Sequence, residues 1–261
     1  MRTTLILCSL LALPAGAAFA AESPWNGTWK LDPGKSHFTG QTFTLTGRPG
    51  GMLHYEDGSS ASFDFGLDGK EYQTLPDRTV SWTETGKDSW DRVGRVGGKI
   101  IYRARVVLAE DGRTLTMNLR GTRPDGKAFQ EKDVFSRVSG TDGLKGTWRA
   151  TSAGPSDEPE TFVISSPAPG VMHYEIPDLK ISVEGRADGS DHPLTGPAMA
   201  PGTTISWTLL APKKIKYVIK INGRPDTEGV QAIAVDGESF TDTSWSPGRA
   251  GEKTTAVYVR Q

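Results

Sequence analysis

The sequence repeats itself. Gly27-Thr28-Trp29 returns as Gly146-Thr147-Trp148, Thr42-Phe43 as Thr161-Phe162, and His54-Tyr55-Glu56 as His173-Tyr174-Glu175, each displaced by 119 positions. Further along, Asp68-Gly69 matches Asp188-Gly189 at 120, and Thr79-Val80-Ser81-Trp82 matches Thr204-Ile205-Ser206-Trp207 at 125. Asp111-Gly112 matches Asp236-Gly237 at 125, and Val134-Phe135-Ser136-Arg137 matches Val257-Tyr258-Val259-Arg260 at 123. The offset changes only between strand-like segments, where loops absorb insertions. Similarity kept in this order means one unit of about 115 residues present twice. The units span 22–140 and 141–261, and their joint, Ser139-Gly140-Thr141-Asp142-Gly143, is short and polar rather than a long linker.

Within a unit the pattern is β. In Ala61-Ser62-Phe63-Asp64-Phe65 apolar and polar residues alternate, and Tyr102, Ala104, Val106 and Leu108 share a face opposite Arg103 and Arg105. Candidate strands in the first copy are 28–31, 41–47, 52–56, 61–67, 79–85, 89–96, 100–108, 114–121 and 128–138. Gly97-Gly98, Asp111-Gly112 and Pro124-Asp125-Gly126 supply the backbone angles of tight hairpins. Short hairpins in series make a meander, and closing it removes the exposed edges. The expectation is an all-β fold of two tandem antiparallel up-and-down β-barrels with 8–9 strands each. A barrel of that size holds its own side chains or one small ligand.

Residues 1–20 read as a signal peptide: Arg2, an apolar run from Leu5 to Leu13, and the small-x-small site Ala18-Phe19-Ala20. The run is too short to span a bilayer, and no second apolar segment is long enough. The expected location is therefore periplasmic or secreted. The single cysteine, Cys8, lies inside the leader, so the mature chain has no disulfide and no thiol chemistry. The charges balance, with 30 Lys and Arg against 31 Asp and Glu and no basic tract, which argues against a nucleic-acid partner.

Gly27-Thr28-Trp29-Lys30 on the first strand and Arg137 on the last resemble the closure of calycins, the superfamily of lipocalins and fatty-acid-binding proteins. The longer stretch Trp25 to Ser36 is similar to the start of exported bacterial lipocalin-like proteins of unassigned function. The resemblance implies that Trp29 meets Arg137 and that Trp148 meets Arg260, a guanidinium lying over each indole. It implies no ligand contacts. It departs from fatty-acid-binding proteins in lacking a helix pair after the first strand.

Other candidate sites come from the residues alone. Tyr55, Phe63, Phe65 and Trp82, with Tyr174 and Trp207 in the second copy, are candidates for lining a ligand pocket. His54 with Glu56, and His173 with Glu175, share a strand face and would begin a metal site, but a zinc site needs three or four ligands. Duplication alone also explains their repetition. Asp191-His192 has nearby serines but no nucleophile elbow, so no catalytic residue and no cofactor is assigned. Lys213, Lys214 and Lys216 read as a solvated strand edge. The insertion Pro193–Gly202 lengthens one loop of the second copy, a divergence that would leave only one open cavity. The expected function is binding of a small apolar or amphipathic molecule. The alternatives are a structural module of the cell envelope with filled barrels and, third, an enzyme on a calycin-like barrel.

Overall fold

The alternating runs form strands throughout the computed structural model, which describes residues 23–152 and 160–261; the expected leader, residues 1–20, lies outside the described residues. The first half contains β1 (Gly27–Leu31), β2 (Thr42–Gly47), β3 (Leu53–Glu56), β4 (Ser62–Phe65), β5 (Asp68–Leu75), β6 (Arg78–Gly86), β7 (Ser89–Val96), β8 (Lys99–Leu108), β9 (Thr114–Thr122) and β10 (Ala128–Ser139). The second contains β11 (Gly146–Ser152), β12 (Thr161–Ser165), β13 (Val171–Ile176), β14 (Ile181–Arg186), β15 (Asp188–Pro193), β16 (Thr203–Ala211), β17 (Lys214–Ile221), β18 (Arg224–Ile233), β19 (Ser239–Trp245) and β20 (Thr254–Arg260). Gly97 and Gly98 both have positive φ, as the predicted two-residue hairpin requires. No helix among the described residues is long and apolar enough to cross a membrane.

The strands build two antiparallel, nearly closed, barrel-like sheets of ten strands each, two or one more than the 8–9 expected. The added strand is β5, Asp-Gly-Lys-Glu-Tyr-Gln-Thr-Leu, whose first four residues are exposed. Without an alternating apolar face it carries no strand signal in the sequence.

The two sheets do not coincide with the two repeats. Barrel one has the order β4-β3-β2-β11-β10-β9-β8-β7-β6-β5, and barrel two the order β14-β13-β12-β1-β20-β19-β18-β17-β16-β15. Each barrel takes its first strand from the other copy. The cause lies in the joint: β10 turns directly into β11, and the two pair as neighbours, with Arg137 opposite Trp148. Antiparallel neighbours joined by a short turn form the favoured local pairing. Once β11 lies between β10 and β2, β1 fills the corresponding gap between β20 and β12.

The expected closure pairs are therefore corrected. Arg260 lies over Trp29, 4.0 Å from the ring centroid, and Arg137 over Trp148 at 4.1 Å. The two closures are built alike. Trp29 Nε1 donates to Trp25 O at 3.0 Å, and Trp148 Nε1 to Leu144 O at 2.8 Å. Each guanidinium also donates to three backbone carbonyls: Arg260 to Gly237, Asn26 and Pro24, and Arg137 to Gly112, Lys145 and Gly143. Gly27 and Gly146 sit at φ 145° and 133°, and a Cβ at Gly27 would stand 2.6 Å from Arg260 Nη1. The glycine of Gly-Thr-Trp is thus the space through which the arginine reaches the indole. Gly-Thr-Trp and the last-strand arginine are the same in both copies, so the exchanged first strand meets the same closing arginine in either barrel.

The barrels also clasp each other through the turn between β19 and β20. Glu252 accepts from the Thr42 amide at 2.7 Å and from its hydroxyl at 2.9 Å, and Arg249 donates to Thr42 Oγ1 at 2.7 Å and Thr44 Oγ1 at 3.2 Å. Gly248 N donates to Gly58 O at 2.9 Å, and Ser60 N to Asp226 Oδ1 at 3.1 Å. Glu252→Ala is expected to cost about 2 kcal/mol, the worth of a charge-assisted hydrogen bond. Faster hydrogen exchange at the Thr42 and Gly248 amides would report it. Unchanged exchange there would show that the clasp contributes nothing.

Candidate functional site

Inward side chains leave a cavity in each barrel, so the expectation of a single open one is corrected. In barrel one a space of about 280 Å³ is lined by Phe43, Leu45, Tyr55, Trp82, Met117 and Phe135, among others. Ser246, Arg249 and Glu252 of barrel two also line it. In barrel two a space of about 380 Å³ is lined by Phe162, Tyr174, Val183, Trp207, Tyr217 and Ile219, with Leu75 and Arg78 reaching in from barrel one. The inserted loop contributes Leu194, Met199 and Ala200 to the lining and leaves the cavity unfilled.

One wall of the second cavity is polar. Tyr174 donates to Gln231 Oε1, Gln231 Nε2 to Asp242 Oδ2, and Tyr217 to Asp242 Oδ1, each at 3.0 Å. Burial pushes the Asp242 carboxyl up to about 6, against the pull of its Gln231 and Tyr217 donors. Glu160 lines the same cavity and is pushed up to about 7, chiefly by burial, with Arg123 opposing and Asp178 and Asp242 reinforcing. Burial also raises the Tyr174 and Tyr217 hydroxyls well above their usual value. The cavity therefore offers apolar walls and neutral donors at low pH, and gains negative charge as pH rises through 6 to 7.

Of the sequence candidates, Tyr55 and Trp82 border the first cavity, and Tyr174 and Trp207 the second, stacked at 5.0 Å. Phe63 borders a smaller space of about 170 Å³ beside the first cavity. Phe65 is fully buried in the core, stacked on Trp82 at 5.3 Å. The histidines lie elsewhere. His54 Nδ1 meets Asp64 Oδ1 at 2.6 Å across the β3–β4 pair, and His173 Nδ1 lies 3.6 Å from Glu184 across β13–β14. Glu56 lies 3.6 Å from Arg249, and Glu175 pairs with Ser182 in the strand register. The cross-strand acids, not the i+2 glutamates, are the partners of the histidines. No group of three or more His, Cys, Asp or Glu side chains that could hold a metal ion is found among the described residues.

His192 stacks on Trp207 at 5.9 Å, and its Nε2 accepts from the Arg186 amide at 3.1 Å, while Asp191 pairs with Lys220. The pair is thus held apart in packing and in an ion pair. The lysine cluster is not at an edge: β17 lies between β16 and β18, and Lys213 donates to the carbonyls of Ala234 and Val235.

Gln231, Asp242 and Glu160 escaped the sequence reading. A signal for the first two was present: at the 125-residue offset they replace Val106 and Met117, which face inward. Comparison with models of known protein families, with curated protein sequences and with solved structures found no match for this chain.

Proposed function

We propose that this chain is an exported binding protein whose barrels hold small amphipathic molecules, with barrel two as the principal receptacle. The observation that carries the reading is the cavity of about 380 Å³ in barrel two, walled by apolar and aromatic side chains along one side and by the Tyr174–Gln231–Asp242–Tyr217 network on the other. Pockets of this size, with a few convergent polar groups, suit ligands that have an apolar body and one polar end. The leader-like residues 1–20 and the calycin-like closure residues agree with export and with a receptacle. An envelope module with filled barrels fits the cavities less well.

The test uses N-phenyl-1-naphthylamine, an uncharged probe that brightens in apolar surroundings. It is expected to bind the full chain and to quench Trp207 emission by energy transfer. Ile219→Trp, which fills the second cavity, should weaken binding by about tenfold or more. No brightening, together with no copurified small molecule in native mass spectrometry, would overturn the reading.

A further inference from the structure

The duplication makes each inward position of one barrel a reference for the other. Arg92 lies opposite Trp82, and Tyr217 opposite Trp207, at the same place in the register. Val106 opposite Met117 in barrel one likewise corresponds to Gln231 opposite Asp242 in barrel two. Barrel two thus carries neutral donors and an acid where barrel one carries one cation among apolar groups.

That cation is under-satisfied. The Arg92 guanidinium lies 5.4 Å from the Trp82 ring and 5.3 Å from the Tyr102 ring. Among the described residues its Nη1 reaches only the Met117 thioether, at 3.6 Å, and its Nε is buried with no hydrogen-bond partner. A guanidinium has five donors, and a thioether is a weak acceptor. Two aromatic faces stabilise the charge without supplying hydrogen bonds. Arg92 borders both the 280 Å³ cavity and the 170 Å³ space beside it, as does Tyr55. The other charged groups lining the larger cavity are Asp57, Asp133, Arg249 and Glu252. Asp57 accepts from Tyr55 and Ser59, Glu252 accepts from Thr42, and Arg249 donates to Thr42 and Thr44. Asp133 stands opposite Met117 on β10.

We propose that Arg92 is the anion-binding residue of barrel one and takes the carboxylate of a small aromatic or short-chain acid, whose apolar body packs against Trp82, Tyr55 and Met117. A carboxylate matches the fork of a guanidinium and supplies the acceptors that the protein withholds. Barrel two, with Tyr217 and Asp242 at the equivalent positions, disfavours the same head group. The inference rests on the reading of the barrels as receptacles and adds a charge preference to one of them.

The test compares 2-naphthoate with its uncharged analogue 2-naphthamide, by fluorescence anisotropy on the full chain. Naphthoate is expected to bind about tenfold more tightly than naphthamide. Arg92→Met should abolish that preference, weakening naphthoate far more than naphthamide, and Arg92→Lys should keep part of it. Equal binding of the two compounds, or an unchanged preference in Arg92→Met, overturns the anion site and leaves the receptacle reading standing. If neither compound binds, the anion site also falls, and N-phenyl-1-naphthylamine then decides whether the receptacle reading falls with it. Should Arg92→Met fail to fold, the wild-type preference and its competition by benzoate decide: no preference, or no competition, overturns the proposal.

Discussion

Replacing Trp29 by alanine is expected to destabilise barrel two by about 3–5 kcal/mol, the usual cost of deleting a buried tryptophan. Trp29 is fully buried, packs edge-on to Phe240 at 5.2 Å and carries the Arg260 guanidinium on its face. Its strand pairs with β12 and β20, both drawn from the second copy. The damage therefore appears far away in the sequence. Amide exchange is expected to accelerate in β12 and β20 while β2 and β10 keep their protection. Trp148→Ala should do the reverse, exposing β2 and β10. If Trp29→Ala instead loosened β10 and spared β20, each copy would be closing on its own first strand, and the exchange of strands would be wrong.

Acidification should strengthen barrel two before it weakens the protein as a whole. Asp242 and Glu160 titrate in the fold at about 6 and about 7, above their ordinary values of 3.8 and 4.5. Between those limits the folded state binds more protons than the unfolded one, so stability falls as pH rises through this window. The contribution is fully present below about pH 4 and lost above about pH 7, and each carboxyl is worth at most about 3 kcal/mol. The melting temperature is expected to rise as pH drops from 8 to 5. Asp242→Asn and Glu160→Gln together should flatten that rise and make the variant more stable than the wild type at pH 8. A wild-type melting temperature indifferent to pH over this range would show that the two carboxyls are better solvated than their burial implies.

Much of this architecture was legible in the residues, and the illegible part has a definite cause. Repetition showed two units, and alternation showed which face of each strand is buried. Alternation does not show which strand lies alongside, because Gly-Thr-Trp is the same in both copies and fits either gap. The deciding feature was the length of the joint, which makes β10 and β11 a hairpin. The polar β5 was missed because it has no apolar face to repeat. The polar wall of the second cavity was missed for the opposite reason: Gln231 and Asp242 look like surface residues until they are set beside Val106 and Met117, their buried counterparts. The aromatic candidates were easier, since large rings on inward positions either line a cavity or, like Phe65, fill the core.

The exchanged first strand also sets an order of assembly. Barrel one holds only residues from β2 to β11, so it has all its strands once the chain has grown to Ser152. Barrel two cannot close until β20 meets β1, the last strand meeting the first. Until β20 is made, β1 can pair on one edge only, with β12, and the final closure spans nearly the whole chain. Contacts of such long reach are slow to form. Barrel two is thus expected to close later than barrel one, and the open edge of its first strand is where a neighbouring copy, caught at the same stage, would find a place to insert.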